Sequence, residues 1–258
     1  MTKLSSAFGG LFLLSSLAPA AIKTEVISYK QGGTALEGYL AYDDAKPGKK
    51  PGVVVVHDWM GMGPYVKMRT EQLAGLGYIA FAADIYGKNV RPKDAKQASE
   101  QVGKFKGDRP LLRARAQAAL DVLKKDPRVD PTKLAAMGYC FGGTTSLELA
   151  RSGADVKGVV SFHGSLATPT PDDAKQIKGR VLVLHGADDP HVPLAEVNAF
   201  EDEMRKAGVD WVLVKYSGAV HAFTEPAAGN DNAKGVAYNE KADKRSFEEM
   251  RRFFSEIF

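Results

Sequence analysis

Leu134-Ala135-Ala136-Met137-Gly138-Tyr139-Cys140-Phe141-Gly142-Gly143 is a short apolar run that ends in a glycine, the only cysteine of the chain and two more glycines. Thr144 to Ala150 then reads as a helix. A strand, a sharp turn with a thiol at its apex and a helix make the pattern G-x-C-x-G, a nucleophile elbow. Such a turn strains its apex residue, and a Cβ on the flanking glycines would meet the strand or the helix. The helix aims its N-terminal N–H groups and dipole at the sulfur, which favours thiolate. Taken alone, the motif reads more readily as a buried structural cysteine in an ordinary strand-to-helix turn, so the rest of the chain decides.

Working outward, strands alternate with helices. Glu25–Tyr29 and Ala35–Tyr42 alternate as strands, with a hairpin turn at Gln31-Gly32-Gly33. Gly52-Val-Val-Val-Val-His57 is a continuous apolar run, expected of a central strand covered on both faces. Pro64–Leu76 reads as a helix and Tyr78–Ala83 as a buried strand. Asp94–Phe105 reads as a polar surface helix, and Leu111–Lys125 carries apolar residues at helical spacing. Beyond the elbow, Gly158–Phe162, Arg180–His185 and Trp211–Tyr216 read as strands, and Leu194–Ala207 and Ala242–Phe258 as helices. Eight strands in this alternation predict one α/β domain with a mostly parallel sheet and helices on both faces. Active sites of such sheets form at the carboxyl ends of the strands.

Three of those ends carry the groups a thiol hydrolase needs. Cys140 follows one strand, Asp188 and Asp189 follow Val181-Leu-Val-Leu-His185-Gly-Ala, and His221 follows the last strand. The order nucleophile, acid, histidine is that of α/β-hydrolases. The histidine takes the thiol proton and returns it to the leaving group, while the acid orients the ring.

The chain resembles the dienelactone hydrolase family of α/β-hydrolases from about Thr24 to Phe258. The resemblance rests on His57-Asp-Trp-Met-Gly61, Ala83-Asp-Ile-Tyr-Gly87, Gly138-Tyr-Cys-Phe-Gly-Gly143, His185-Gly-Ala-Asp-Asp-Pro-His-Val-Pro193 and His221-Ala-Phe. It implies an α/β-hydrolase fold without a large cap domain, and cleavage of esters, lactones or thioesters by Cys140 with His221 as base. Because the family's acid lies three residues before Val-Pro, it implies Asp189 over Asp188. It places the oxyanion hole at the backbone N–H groups of Trp59 and Phe141. Asp58 stands where some members carry a glutamate that meets the thiol; a bond ordering the oxyanion loop is its other role. Tyr86, Lys88 and Glu225 are candidate pocket residues, and Trp59, Tyr86 and Phe223 are candidate aromatic walls, Phe223 being as readily a core residue. Lys88 and Glu225 replace two arginines that hold an anionic lactone in the best-known members, and the acidic Glu225 argues against a dianionic substrate. His57, His163, His185 and His191 read as structural or pocket-lining.

The remaining features narrow the class. With 258 residues, 44% hydrophobic and 26% charged, the chain can bury one sizeable core. The net charge of +4 is spread out, with short clusters at Lys49-Lys50 and Lys124-Lys125 and no basic stripe, so nucleic acid is not an expected partner. A small-molecule ester or lactone is. One cysteine allows no internal disulfide. No H-E-x-x-H or paired-cysteine spacing occurs, so neither metal nor cofactor is expected. Lys3, the apolar run Ala7–Leu17 and Ala18-Pro19-Ala20 form an export signal over residues 1–20, too short to span a bilayer. The expectation is a periplasmic or extracellular enzyme with a single domain over 21–258. The rival reading is a non-catalytic ligand-binding protein on the same scaffold.

Overall fold

The computed structural model of the protein describes residues 22–45 and 47–258; the expected export signal, residues 1–20, lies outside the described residues. The first two strands, β1 (Ile22–Gln31) and β2 (Thr34–Asp43), form a hairpin whose two-residue turn places Gly32 at φ 54°. Both run longer than their alternating cores suggest, because each pairs along its full ten residues. They are followed by β3 (Lys50–Val56), α1 (Pro64–Gly75), β4 (Ile79–Ala83), α2 (Ala95–Gly107) and α3 (Arg109–Lys125). The second half contains β5 (Val129–Tyr139), α4 (Phe141–Arg151), β6 (Gly158–Phe162), β7 (Arg180–Gly186), α5 (Leu194–Ala207), β8 (Trp211–Tyr216) and α6 (Glu240–Ile257).

The eight strands form one sheet in the order β1-β2-β4-β3-β5-β6-β7-β8. Only the β1–β2 and β2–β4 pairings are antiparallel. The four consecutive valines of β3, Val53 to Val56, are fully buried because the sheet is covered on both sides there. Val53 and Val55 pack into a layer with Leu73 of α1 and Met250 and Phe254 of α6. Val54 and Val56 pack with Leu112 and Leu120 of α3 and Leu147 of α4. From β3 the chain goes to β4 on one side, then returns to β5 on the other. This reversal opens a crevice at the carboxyl ends of β3 and β5, where α/β sheets bind ligands. Among the described residues no helix is long and apolar enough to cross a membrane.

Candidate active site

The elbow forms at that crevice. β5 ends at Tyr139, α4 begins at Phe141, and Cys140 between them has φ 54° and ψ −115°, a conformation that side-chain-bearing residues rarely adopt. The glycines around it answer to close approach. A Cβ on Gly138 would stand 2.2 Å from the Gly142 backbone, and one on Gly142 would stand 2.2 Å from the Val56 carbonyl oxygen of β3. The helix therefore sits against two strand ends and holds the thiol at the apex.

His221 is carried by the long segment after β8. Its N–H donates to the Gly235 carbonyl, and its own carbonyl accepts from the Ala237 N–H, so the segment folds back on itself at this residue. The His221 Nε2 lies 3.1 Å from the Cys140 Sγ, and its Nδ1 lies 2.9 Å from an Asp189 oxygen. The other Asp189 oxygen accepts the His191 N–H at 2.8 Å, so the carboxylate is held on both sides. Asp188 points elsewhere and accepts the Gly218 N–H at 3.0 Å. Burial works against charge on His221. The Cys140 charge and the bonds to Asp189 and Cys140 outweigh it, raising the pKa to about 10. Burial also opposes charge on Asp189, yet its bond and attraction to His221 hold the carboxyl below its ordinary value.

A cavity of about 430 Å³ opens over the sulfur; Asp58, Trp59, Phe141, His191 and Glu225 are among the side chains that line it. Asp58 accepts the Met60 N–H at 2.7 Å, a bond that orders the loop after β3; no bond joins it to Cys140. Burial raises its pKa to about 6. Glu225 caps its own turn through the Ala227 N–H, and its other oxygen is buried with no hydrogen-bond partner among the described residues. Burial raises its pKa as well, with the Asp58 charge contributing. Among the described residues the Trp59 N–H has no acceptor. The Phe141 N–H, at the first position of α4, has no partner within the helix.

Other expected pocket residues lie elsewhere. Tyr86 is buried behind the loop, where its hydroxyl donates to the Trp59 carbonyl at 2.9 Å; it supports the wall without lining it. Lys88 is drawn away by Glu37 of β2, 3.2 Å distant, and does not face the cavity. Phe223 is fully buried in the core against Tyr216 and His163. His57 is also fully buried: Nδ1 meets the Asp58 carbonyl and Nε2 accepts the Ile85 N–H. The sequence reading missed the contribution of α2. Ser99, Val102, Gly103 and Lys106 form one wall of the cavity. The apolar spacing Ala98, Val102, Phe105 was the signal, masked by the polar residues around it. Among the described residues no cluster of three or more His, Cys, Asp or Glu side chains is arranged to hold a metal ion.

A mostly parallel sheet with a nucleophile elbow at its switch point defines an α/β-hydrolase. Residues 36–258 match the dienelactone hydrolase family, and the chain belongs to it; it is a carboxylic ester hydrolase. Two solved structures are similar over 92% of this chain and 99% of their own. One, titled m3DLH, is 44% identical with a TM-score of 0.89. The other, a dienelactone hydrolase-like promiscuous phosphotriesterase from metagenomic libraries, is 43% identical with a TM-score of 0.88. A putative carboxymethylenebutenolidase of Synechocystis is 26% identical over 229 residues, 84% of this chain and 92% of that protein.

Proposed function

We propose that the protein hydrolyses esters and lactones through a thioacyl-enzyme on Cys140, with His221 as base and Asp189 as its orienting acid. The observation that carries this reading is the continuous file Cys140–His221–Asp189, with contacts of 3.1 and 2.9 Å. The sulfur attacks the acyl carbon, and His221 holds the proton it released. The carbonyl oxygen takes up negative charge, and the N–H groups of Trp59 and Phe141 stabilise it. As the C–O bond breaks, His221 gives its proton to the departing alkoxide oxygen. A water molecule, deprotonated by the same ring, then hydrolyses the thioester and restores the thiol.

The acidic side chains in the cavity favour a substrate neutral on its acyl side. Asp58 and Glu225 both line it, and Lys88, the expected counter-charge, is paired with Glu37. Residues 1–20 act as an export signal in this reading, so the mature enzyme works in the periplasm or outside the cell. The native protein should begin near Ala21 by mass spectrometry; an abundant soluble form retaining Met1 or Thr2 excludes export. The catalytic reading is tested by mass spectrometry of enzyme quenched during turnover of a short-chain ester. An acyl adduct on Cys140 is expected, and turnover without an adduct, unchanged in Cys140→Ala, would exclude it.

A further inference from the structure

His163 stands at the end of β6, at φ 40°, and is 2% exposed. Its Nδ1 accepts the Cys140 backbone N–H at 3.2 Å, a bond that N–H shares with the Phe162 carbonyl at 2.9 Å. An acceptor carries no proton, so the hydrogen of the neutral ring is on Nε2 and points at the Thr224 Oγ1, 2.7 Å away. Thr224 is fully buried and lies three residues beyond His221 on the same segment. Its hydroxyl then donates to the Tyr65 oxygen at 2.6 Å, and the Tyr65 hydroxyl returns a bond to the Thr224 carbonyl at 3.1 Å. Arg69 of α1 closes the arrangement. Its Nε donates to Tyr65, its Nη2 to the Thr224 carbonyl at 2.8 Å, and the same nitrogen meets Asp243 of α6 at 2.6 Å.

We propose that His163 is a positioning residue: a neutral strut that joins the backbone of the nucleophile to the segment carrying His221, and so sets the separation of Cys140 and His221. The two groups come from different strand ends, and no covalent constraint links them. The strut crosses from one to the other in two hydrogen bonds, and the Tyr65–Arg69–Asp243 chain anchors its far end to α1 and α6. Every donor has an acceptor, so the direction of each bond is determined and the arrangement resists sliding. A protonated His163 would turn a second donor toward the Cys140 N–H and put charge beside His221, whose ring centre is 5.4 Å away. Burial and the neighbouring charges of His221 and Arg69 hold the ring well below the ordinary histidine range. His163 takes no proton from substrate in this scheme; it acts through the geometry of the pair.

This proposal rests on the assignment of Cys140 and His221 above, and alkylation separates the two. The rate of Cys140 alkylation by iodoacetamide, followed against pH, reports how His221 supports the thiolate, whether or not turnover passes through the sulfur. Thr224→Val keeps the volume and removes the hydroxyl, whereas Thr224→Ser keeps the hydroxyl. Thr224 does not line the cavity, so substrate binding should be spared. In Thr224→Val, kcat for a neutral ester should fall roughly tenfold with KM within about twofold, as expected for a small misplacement of reacting groups. The acidic limb of its alkylation profile should move to higher pH, and Thr224→Ser should recover most of both. A Thr224→Val enzyme with wild-type kcat and alkylation profile overturns the strut, as does a Thr224→Ser enzyme equally impaired. If Thr224→Val does not fold, His163→Asn decides. It keeps an acceptor toward Cys140 and cannot reach Thr224, so a wild-type alkylation profile in that variant also overturns the proposal. Full turnover in Cys140→Ala would instead remove the catalytic assignment, while the alkylation shift would still measure the strut.

Discussion

Helix α4 is flanked by two clusters of ionisable side chains. On its back face Arg151 is fully buried and bonds Glu203 through two nitrogens, at 2.8 and 2.7 Å, and Glu148 through the third, at 3.1 Å. Arg113 meets the other oxygen of Glu148, and the Leu166 carbonyl takes a further bond from Arg151. At the N-terminus of the same helix, Cys140, His221 and Asp189 form the second cluster. The difference lies in what remains unmatched. In the back cluster each nitrogen of Arg151 and each oxygen of Glu148 and Glu203 is satisfied, and Arg151 and Glu148 are sealed from solvent. The front cluster has its sulfur on a cavity whose lining includes Trp59 and Phe141, two residues whose backbone N–H groups have no acceptor among the described residues. A closed ionic cluster holds a helix in place, whereas an open one has capacity left for a substrate.

The front cluster also responds to pH. His221 has a folded pKa above its unfolded value, so its contribution to stability is complete below pH 6.5 and is lost as pH rises through about 10. The Asp189 value is lowered instead, so its contribution is present above about pH 4 and is lost as pH falls.

The sharpest test of the contrast is Cys140→Ala. It should lower kcat/KM by roughly a thousandfold or more while leaving the protein folded, read from ester hydrolysis and urea unfolding. A large loss of stability would mean that the front cluster also holds the fold. The mirror experiment is Arg151→Met, which leaves Glu148 and Glu203 without their shared cation. Unfolding should show a loss of about 3 to 5 kcal/mol, with active-site titration giving near-normal turnover per folded molecule. If kcat per titrated site collapses too, the back cluster is part of the catalytic machinery.

A smaller effect divides the two adjacent acids. Asp189→Asn should reduce kcat by roughly a hundredfold, since the ring loses its charged partner, whereas Asp188→Asn should stay within about threefold. The reverse ranking would reassign the acid. The smallest effect concerns the cavity wall. Asp58 ionises near pH 6, so KM for an ester with a carboxylate on its acyl side should rise roughly three- to tenfold through that pH, by like-charge repulsion. The neutral analogue should show no such rise, and Asp58→Asn should flatten the profile. A rise that persists in Asp58→Asn would move the effect to Glu225.

Some of this was determined by the sequence alone. Gly138, Cys140 and Gly142 announce the elbow because its requirements are local: a strained apex, and two backbones too close for a Cβ. The valines of β3 declare a doubly covered strand because burial on both faces removes the alternation. The choice of Asp189 over its neighbour came from the family likeness, and the structure puts that carboxylate against His221. Tertiary structure decided what depends on partners far apart in the chain. Lys88 sits where a pocket cation was expected, but Glu37, fifty-one residues earlier, is near enough to claim it. Tyr86 carries a hydroxyl suited to a pocket, yet the carbonyl of Trp59 takes it behind the wall. The polar α2 became a wall of the cavity because Ala98 and Phe105 dock it there. His163 looked like one more strand-end histidine. Its role emerges only when β6, the segment after β8 and α1 bring Cys140, Thr224 and Tyr65 to the same ring. Local backbone demands are written in neighbouring residues, whereas the partner of a side chain is set by which elements the fold brings together.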